Sequence, residues 1–276
     1  MIDLQLLYAL NAIAIAAGDE ILEVYNSDDA IAVSTKTDNS PLTNADRRAH
    51  LLIVDRLGDL TPEIPVLSEE SEAIDYAVRK LWQRYWLVDP LDGTKEFIGR
   101  NGEFTVNIAL IEKGRAVAGV VYIPVSGVCY FGGIGIGAYK HEINLANSEV
   151  QSIHCRPVQE NSEVRIVASR RHRGEQLAAM IKRIEKHFGK ATILSMGSSL
   201  KMCLLAEGSA DIYPRLAPTS EWDTAAAHGI LSAAGGEIVD LQFEALRYNT
   251  KAELLNPSFI AVGDPGYPWR QLLDKH

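Results

Sequence analysis

The chain has 276 residues, 47% of them apolar and 23% charged, with a formal net charge of −9. That length holds one large or two medium domains with buried cores, and the balance is that of a globular protein. The excess of acid excludes a nucleic-acid surface, which selects for clustered Lys and Arg, but not a small phosphorylated ligand met by a bound cation.

The N-terminal stretch MIDLQLLYALNAIAIAAGDEILEVY has no basic segment ahead of its apolar residues, and Asp3, Gln5 and Asn11 interrupt it. Neither a signal peptide nor stable membrane insertion is expected. Leu7, Leu10, Ile13, Ala14, Ala17, Ile21 and Val24 recur at helical spacing, which predicts an amphipathic helix on a core. A peripheral place at the inner face of the cell membrane is the lesser alternative to a cytoplasmic one. Cys129, Cys155 and Cys203 are widely spaced and odd in number, as free thiols in a reducing cytosol are.

A short strand then gives way to a polar loop with Lys36, Asp38, Asn39 and Pro41. Thr43 or Asn44 caps a helix from Asn44 to about Leu57, with Leu51, Ile53, Val54 and Leu57 as its apolar face. Asp46, in the first turn, reads on its own as an acid stabilised by the helix dipole. The strand Pro65 to Ser68 ends in Glu69-Glu70-Ser71, an acidic pair that is ordinarily a solvated face. Tyr85 to Val88 is a second strand, and it too ends in an acid, Asp89. Two apolar strands ending in carboxylates predict neighbouring strand ends converging on one place.

The stretch that follows, DPLDGTKEF (89–97), is dense in chemistry. Pro90 removes a backbone donor between Asp89 and Asp92, and Gly93 permits close backbone approach. Thr94 brings a hydroxyl and a free N–H to the start of a short helix, where phosphate binds favourably. Taken alone, Asp92-Gly93 is an ordinary turn dipeptide. From Phe104 to Lys140 short alternating runs broken by Lys113-Gly114 and Ser126-Gly127 predict an antiparallel meander. Its GGIGIG segment lacks the helix and acid of a dinucleotide loop and reads as a glycine-rich strand and turn.

Near residue 150 the pattern changes to alternating strands and helices: strands at 164–170, ATILSMG, ADIYPRL, GEIVD and FIAVG, with helices at 174–188, 198–207 and 222–234. This predicts an α+β domain over 1–150, carrying an antiparallel sheet and most of the acids, and an α/β domain over 151–276 built mostly on strand–helix crossovers. In the second half, Gly197-Ser198-Ser199 with Lys201 is either an anion contact or a plain cap with an exposed lysine. Asp223, in the first turn of an Ala-rich helix, requires a partner, which is Arg215 or a metal.

Asp46, Glu69, Asp89, Asp92 and Asp223 are thus five carboxylates at the ends of apolar elements from both halves. They cannot all stay ionised around one turn without cations, and hard, oxygen-ligated Mg²⁺ suits a site that also takes phosphate. Glu-Glu at 69–70, WLVDPLDGTKEF at 86–97 and EWDTAAAHGIL at 221–231 resemble, in order and spacing, the three motifs of the inositol monophosphatase superfamily of Mg²⁺-dependent, lithium-sensitive phosphatases. Lys95-Glu96-Phe97, TDNSPLTNAD (37–46) and GSSLKMCLLAEGSADIYPR (197–215) are most similar to its 3′(2′),5′-bisphosphate nucleotidase branch of the CysQ type. Inositol monophosphatases more often read DGTTNF at the first of these places.

The resemblance implies a layered α-β-α-β-α fold and two or three Mg²⁺ ions held by Glu69, Asp89, the Leu91 carbonyl, Asp92 and Asp223. It makes Thr94, oriented by Asp46 or Glu70, the group that aligns the attacking water. The Gly93 and Thr94 N–H groups would hold the transferred phosphate, with Glu69, Leu91, Asp92 and Asp223 also facing it. Ser198, Lys201 and Arg215 would meet the nucleoside and 5′-phosphate. The implied partner is a small phosphorylated nucleotide, adenosine 3′,5′-bisphosphate or its phosphosulfate analogue, a by-product of sulfate assimilation. An inositol-1-monophosphatase or broad sugar-phosphate phosphatase is the alternative, and a catalytically silent metal-dependent binding protein the remote one. The oligomeric state is left open.

Overall fold

The computed structural model describes residues 2–27, 33–35, 41–160, 162–168 and 174–274. Lys36, Asp38 and Asn39 of the expected polar loop lie outside them, as do Ser169 and Arg170 at the end of the expected strand from Val164. Asp3 caps the first helix, Leu4–Asn26 (α1), its carboxylate accepting the Leu6 amide at 2.8 Å. Val33–Thr35 (β1) and Pro41–Thr43 (β2) pair antiparallel and lead into Asn44–Leu60 (α2). Thr43 is the N-cap. The buried face of α2 is Ala45, Ala49, Ile53 and Leu57, while Leu51 points to solvent at 62% exposure. The expected face of Leu51, Ile53, Val54 and Leu57 therefore was rotated: two small alanines, not Leu51, meet the neighbouring layer.

Val66–Ser68 (β3), Tyr76–Arg79 (α3), Arg84–Asp92 (β4) and Thr94–Ile98 (α4) follow, and then the meander of Thr105–Glu112 (β5), Arg115–Ile123 (β6), Val128–Gly133 (β7) and Gly137–Glu142 (β8). With Gln151–Ile153 (β9) these strands form one seven-stranded sheet in the order β3-β4-β5-β6-β7-β8-β9. The period of two decides which face each residue takes. Tyr85, Leu87, Ala109 and Ile111 point to one side; Trp86, Val88, Ile108 and Leu110 point to the other, against α1 and α2.

The remaining elements are Val164–Ala168 (β10), Glu175–Phe188 (α5), Ala191–Ser195 (β11), Leu200–Ala206 (α6), Ile212–Arg215 (β12), Trp222–Ala233 (α7), Glu237–Asp240 (β13), Phe259–Val262 (β14) and Trp269–Leu273 (α8). The second sheet runs β11-β10-β12-β14-β13. Its first three strands are parallel, as the strand–helix alternation predicts, but β12-β14 and β14-β13 are antiparallel. Both sheets, α6 and α7 share one core; α5 and α8 cover the outer face of the second sheet. The layers are α1/α2, sheet, α6/α7, sheet, α5/α8. Among the described residues no helix is long and apolar enough to cross a membrane.

The middle layer is thin because its side chains are small. α7 contributes Ala225, Ala226, Ala227 and Gly229, and it lies on the backbone of β6. A Cβ on Gly119 would sit 2.1 Å from the Ala226 carbonyl oxygen, and one on Gly229 would sit 2.8 Å from the Ala118 carbonyl. This contact fixes the start of α7, with Asp223, relative to the first sheet.

Candidate active site

β3 and β4 run parallel with Ser68 beside Val88, so the acids that follow both strands emerge together. The Glu69 amide donates to the Val88 carbonyl at 3.0 Å, and the Glu69 and Asp89 carboxyls share a hydrogen bond. The pairing of β4 with β5 slips between Asp89 and Asp92, where Pro90 has no N–H for the ladder. Asp89 accepts the Leu91 amide at 3.0 Å. Asp92, carried past the slip, reaches the second half of the chain and accepts the Ser199 amide at 2.7 Å. Asp223 accepts the Ser220 amide at 2.8 Å. Carboxylate oxygens of Asp89, Asp92 and Asp223 all lie within 4.8 Å of one another.

Burial is the largest influence on all three and pushes each carboxyl above the ordinary range. Repulsion from Glu69, Asp92 and Asp223 adds to it at Asp89. Asp223, raised next by Asp92, reaches about 8 although the Ser220 amide and Arg215 pull the other way. At Asp92 the opposing influences are Lys201 and the Ser199 amide. Three mutually repelling, poorly hydrated carboxylates lack positive charge, and an all-oxygen donor set fits a hard divalent ion such as Mg²⁺.

Asp92 and Asp223 border a cavity of about 360 Å³ whose far wall comes from the second half of the chain. Lys201 is buried there, so the plain cap with an exposed lysine is excluded. Its ammonium donates to the Ser198 carbonyl at 2.7 Å and sits 5.7 Å from the Tyr213 ring centre. Burial brings this amine down to about 8, against the pull of Asp92. Ser198 has a φ of 38°, which turns the chain at the mouth of α6. Among the described residues its hydroxyl and the Arg215 Nε, both enclosed behind this wall, have no hydrogen-bond partner.

The other expected residues are dispersed around this centre. Asp46 closes a capping box, accepting the Thr43 amide at 2.8 Å and the Thr43 hydroxyl at 2.5 Å. Glu70 follows the end of β3, where its amide donates to Ser68 Oγ at 3.4 Å. Gly93 (φ 92°) is the N-cap of α4, and the Thr94 hydroxyl donates to the Leu91 carbonyl at 3.5 Å. Sequence reasoning missed Glu103, whose carboxylate accepts the Gly197 amide at 2.9 Å and joins segments 94 residues apart across the cavity. It also missed Tyr213 and Asn101 on the same walls. None of them stands in a dense motif.

The profile of the inositol monophosphatase family matches residues 3–266. The chain is 49% identical over 243 residues, 88% of its length and 94% of the relative's, to the 3′(2′),5′-bisphosphate nucleotidase CysQ of Salmonella typhimurium (strain LT2). It is 48% identical, with the same coverage, to the enzyme of that name from Escherichia coli (strain K12). The crystal structure of CysQ from Bacteroides thetaiotaomicron superposes with a TM-score of 0.81 at 44% identity, over 94% of this chain and 97% of that one. With the motifs, the five-layer fold and the acid cluster already in place, these matches close the question of kinship: the chain belongs to the inositol monophosphatase family.

Proposed function

We infer that this chain is a Mg²⁺-dependent 3′(2′),5′-bisphosphate nucleotidase that hydrolyses the 3′-phosphate of adenosine 3′,5′-bisphosphate to AMP and inorganic phosphate. One observation carries the reading. A single cavity joins the acid cluster to a second, cationic wall of Lys201 and Arg215, which suits a substrate with two phosphates better than one with a single phosphate. The nucleotidase relatives support the same substrate class, and the three free thiols support a cytoplasmic place.

Glu69, Asp89, the Leu91 carbonyl, Asp92 and Asp223 would hold two or three Mg²⁺ ions. Mg²⁺ supplies the positive charge that the transferring phosphoryl group and the departing oxygen require. The chain's own part is positioning. Thr94, at the start of α4 beside Gly93, aligns the attacking water, with Asp46 or Glu70 setting the orientation of its hydroxyl. The Gly93 and Thr94 amides receive the phosphoryl oxygens. Ser198 and Arg215 stand on the wall that meets the nucleoside, and Lys201 receives the 5′-phosphate. Release of phosphate from adenosine 3′,5′-bisphosphate and from inositol 1-phosphate, measured side by side, tests the substrate. A kcat/KM that favours inositol 1-phosphate would overturn it.

Lys201→Ala should raise KM for the bisphosphate about tenfold or more, the worth of a hydrogen bond to a charged group, with kcat little changed. For 3′-AMP, which has no 5′-phosphate, KM should hardly move. An equal rise for both substrates would place Lys201 elsewhere in the reaction.

The raised carboxyls also set a pH dependence. Asp223 titrates near 8 in the folded chain and near the ordinary carboxylate value when unfolded. Its ionisation is therefore penalised only in the fold. This contribution to the stability of the metal-free protein is full at acid pH and is lost as pH rises toward 8. Melting curves in EDTA from pH 5.5 to 8.5 should show Tm falling with pH, and excess Mg²⁺ should flatten or reverse the trend. A Tm in EDTA that is constant or rises with pH would contradict it.

A further inference from the structure

A second cavity, of about 250 Å³, lies where the start of β6, the latter part of α7 and the start of β13 meet. Arg115 and Arg247 line it on adjoining segments, joined by the hydrogen bond of the Tyr248 amide to the Gly114 carbonyl at 3.0 Å, with His228 and Ser232 from α7 and Glu237 from β13. Among the described residues neither guanidinium has an ion-pair partner. His228 is buried. Its ring is held well toward the neutral form, at about 4, chiefly by burial and then by the fields of Arg115 and Arg247. One negative side chain, Glu237, faces two positive ones, so the cavity keeps a net positive charge. The C-terminal end of α7 does not cancel it: the carbonyls of Ile230, Leu231 and Ser232 accept amides from Ala234, Gly235 and Gly236.

We propose that this cavity binds a small tetrahedral oxyanion, phosphate or sulfate, and that its occupancy is felt in the active cavity through His228, Tyr248 and Thr224. Paired guanidinium forks match the oxygens of such an anion. The volume lies below that of typical pockets for larger organic ligands and suits a small anion. The connection is a short buried chain. His228 Nδ1 lies 2.8 Å from the Tyr248 hydroxyl, and that hydroxyl lies 3.3 Å from Thr224 Oγ1. Thr224 lines the active cavity, and it is the neighbour of Asp223. The two cavities thus share the helix α7 and one hydrogen-bonded route between its sides.

The test counts phosphate bound to the Mg²⁺-loaded protein by calorimetry, with sulfate as a separate arm. The wild type should bind two equivalents, Arg115→Ala/Arg247→Ala one, and Asp92→Asn the other one. In turnover, an anion-dependent change in KM of about fivefold or more is expected for the wild type. The part of this change that exceeds simple competition for the active cavity should vanish in the arginine double variant, whose rate without added anion stays that of the wild type, and also in Tyr248→Phe, which still binds the second equivalent. Equal stoichiometry in the wild type and the arginine variant overturns the site, and an undiminished KM effect in Tyr248→Phe overturns the route. If only one of the two anions fills the second site, that anion is the physiological class. Binding is read without turnover, so its failure is distinct from a failure of the nucleotidase reading.

Discussion

Asp92→Asn is expected to lower kcat/KM by about 10²–10³-fold or more while leaving the metal-free protein at least as stable as the wild type. The loss follows from removing a charged oxygen from a reaction that depends on preorganised electrostatics. The gain follows from the geometry without metal. Asp92 is one of three acids whose oxygens crowd within 4.8 Å, and burial pushes it above the usual carboxylate range. A neutral amide relieves that repulsion and can still accept the Ser199 amide with its oxygen. The combination separates a site residue from a structural one. Assays with Mg²⁺ at saturation, paired with melting curves in EDTA, read both parts. A variant that melts well below the wild type in EDTA would mean that Asp92 serves the fold first.

Gly119→Ala carries the largest expected effect on stability. The added methyl would meet the Ala226 carbonyl at 2.1 Å, a contact with backbone on both sides that no rotamer change relieves. Overpacking of this kind costs about 3 kcal/mol or more, which in a chain of this size lowers Tm by roughly 6–12 °C. Gly229→Ala presses on the same contact from the other side, against Ala118. The double variant should cost less than the two single losses added together, because one displacement of α7 serves both. Thermal unfolding of the three variants in Mg²⁺ checks this. A loss for Gly119→Ala under about 1 kcal/mol would mean that α7 can move away from β6 at little cost.

Much of this molecule was legible along the chain. The continuous apolar run of Tyr85 to Val88, the helical spacing from Leu7 to Ile21 and the two acid-tipped strands each encode local geometry, and β3 and β4 do lie side by side. What could not be read depends on partners far away in sequence. Leu51 satisfies the helical period as well as Ala49 does, and only the layer above α2 decides which is buried. Lys201 reads along the chain either as an anion contact or as a solvent-facing lysine one turn into a helix, and only Tyr213 and the cavity around it decide between the two. The antiparallel arrangement of β12, β14 and β13 leaves no local trace, because parallel and antiparallel central strands share the same apolar runs. Glu103 and Gly197 carry no mark of their contact. For the acids the situation is the reverse: the three that cluster are separated by as many as 134 positions (223 − 89), yet each stands at the end of an apolar element, where its charge is conspicuous.

The seating of α7 on β6 has one more consequence. A helix held between two sheets, with Gly119 against Ala226 and Gly229 against Ala118 at its closest contact, leaves little space along which the halves can hinge. This seating resists a parting of the two walls of the active cavity like the lobes of a clamshell. Entry and exit are left to the mouth of the cavity, where loop segments such as the one around Asn101 border it. On this seating, ligand exchange is expected to fall to those surface loops, with little movement of the acid cluster beneath them.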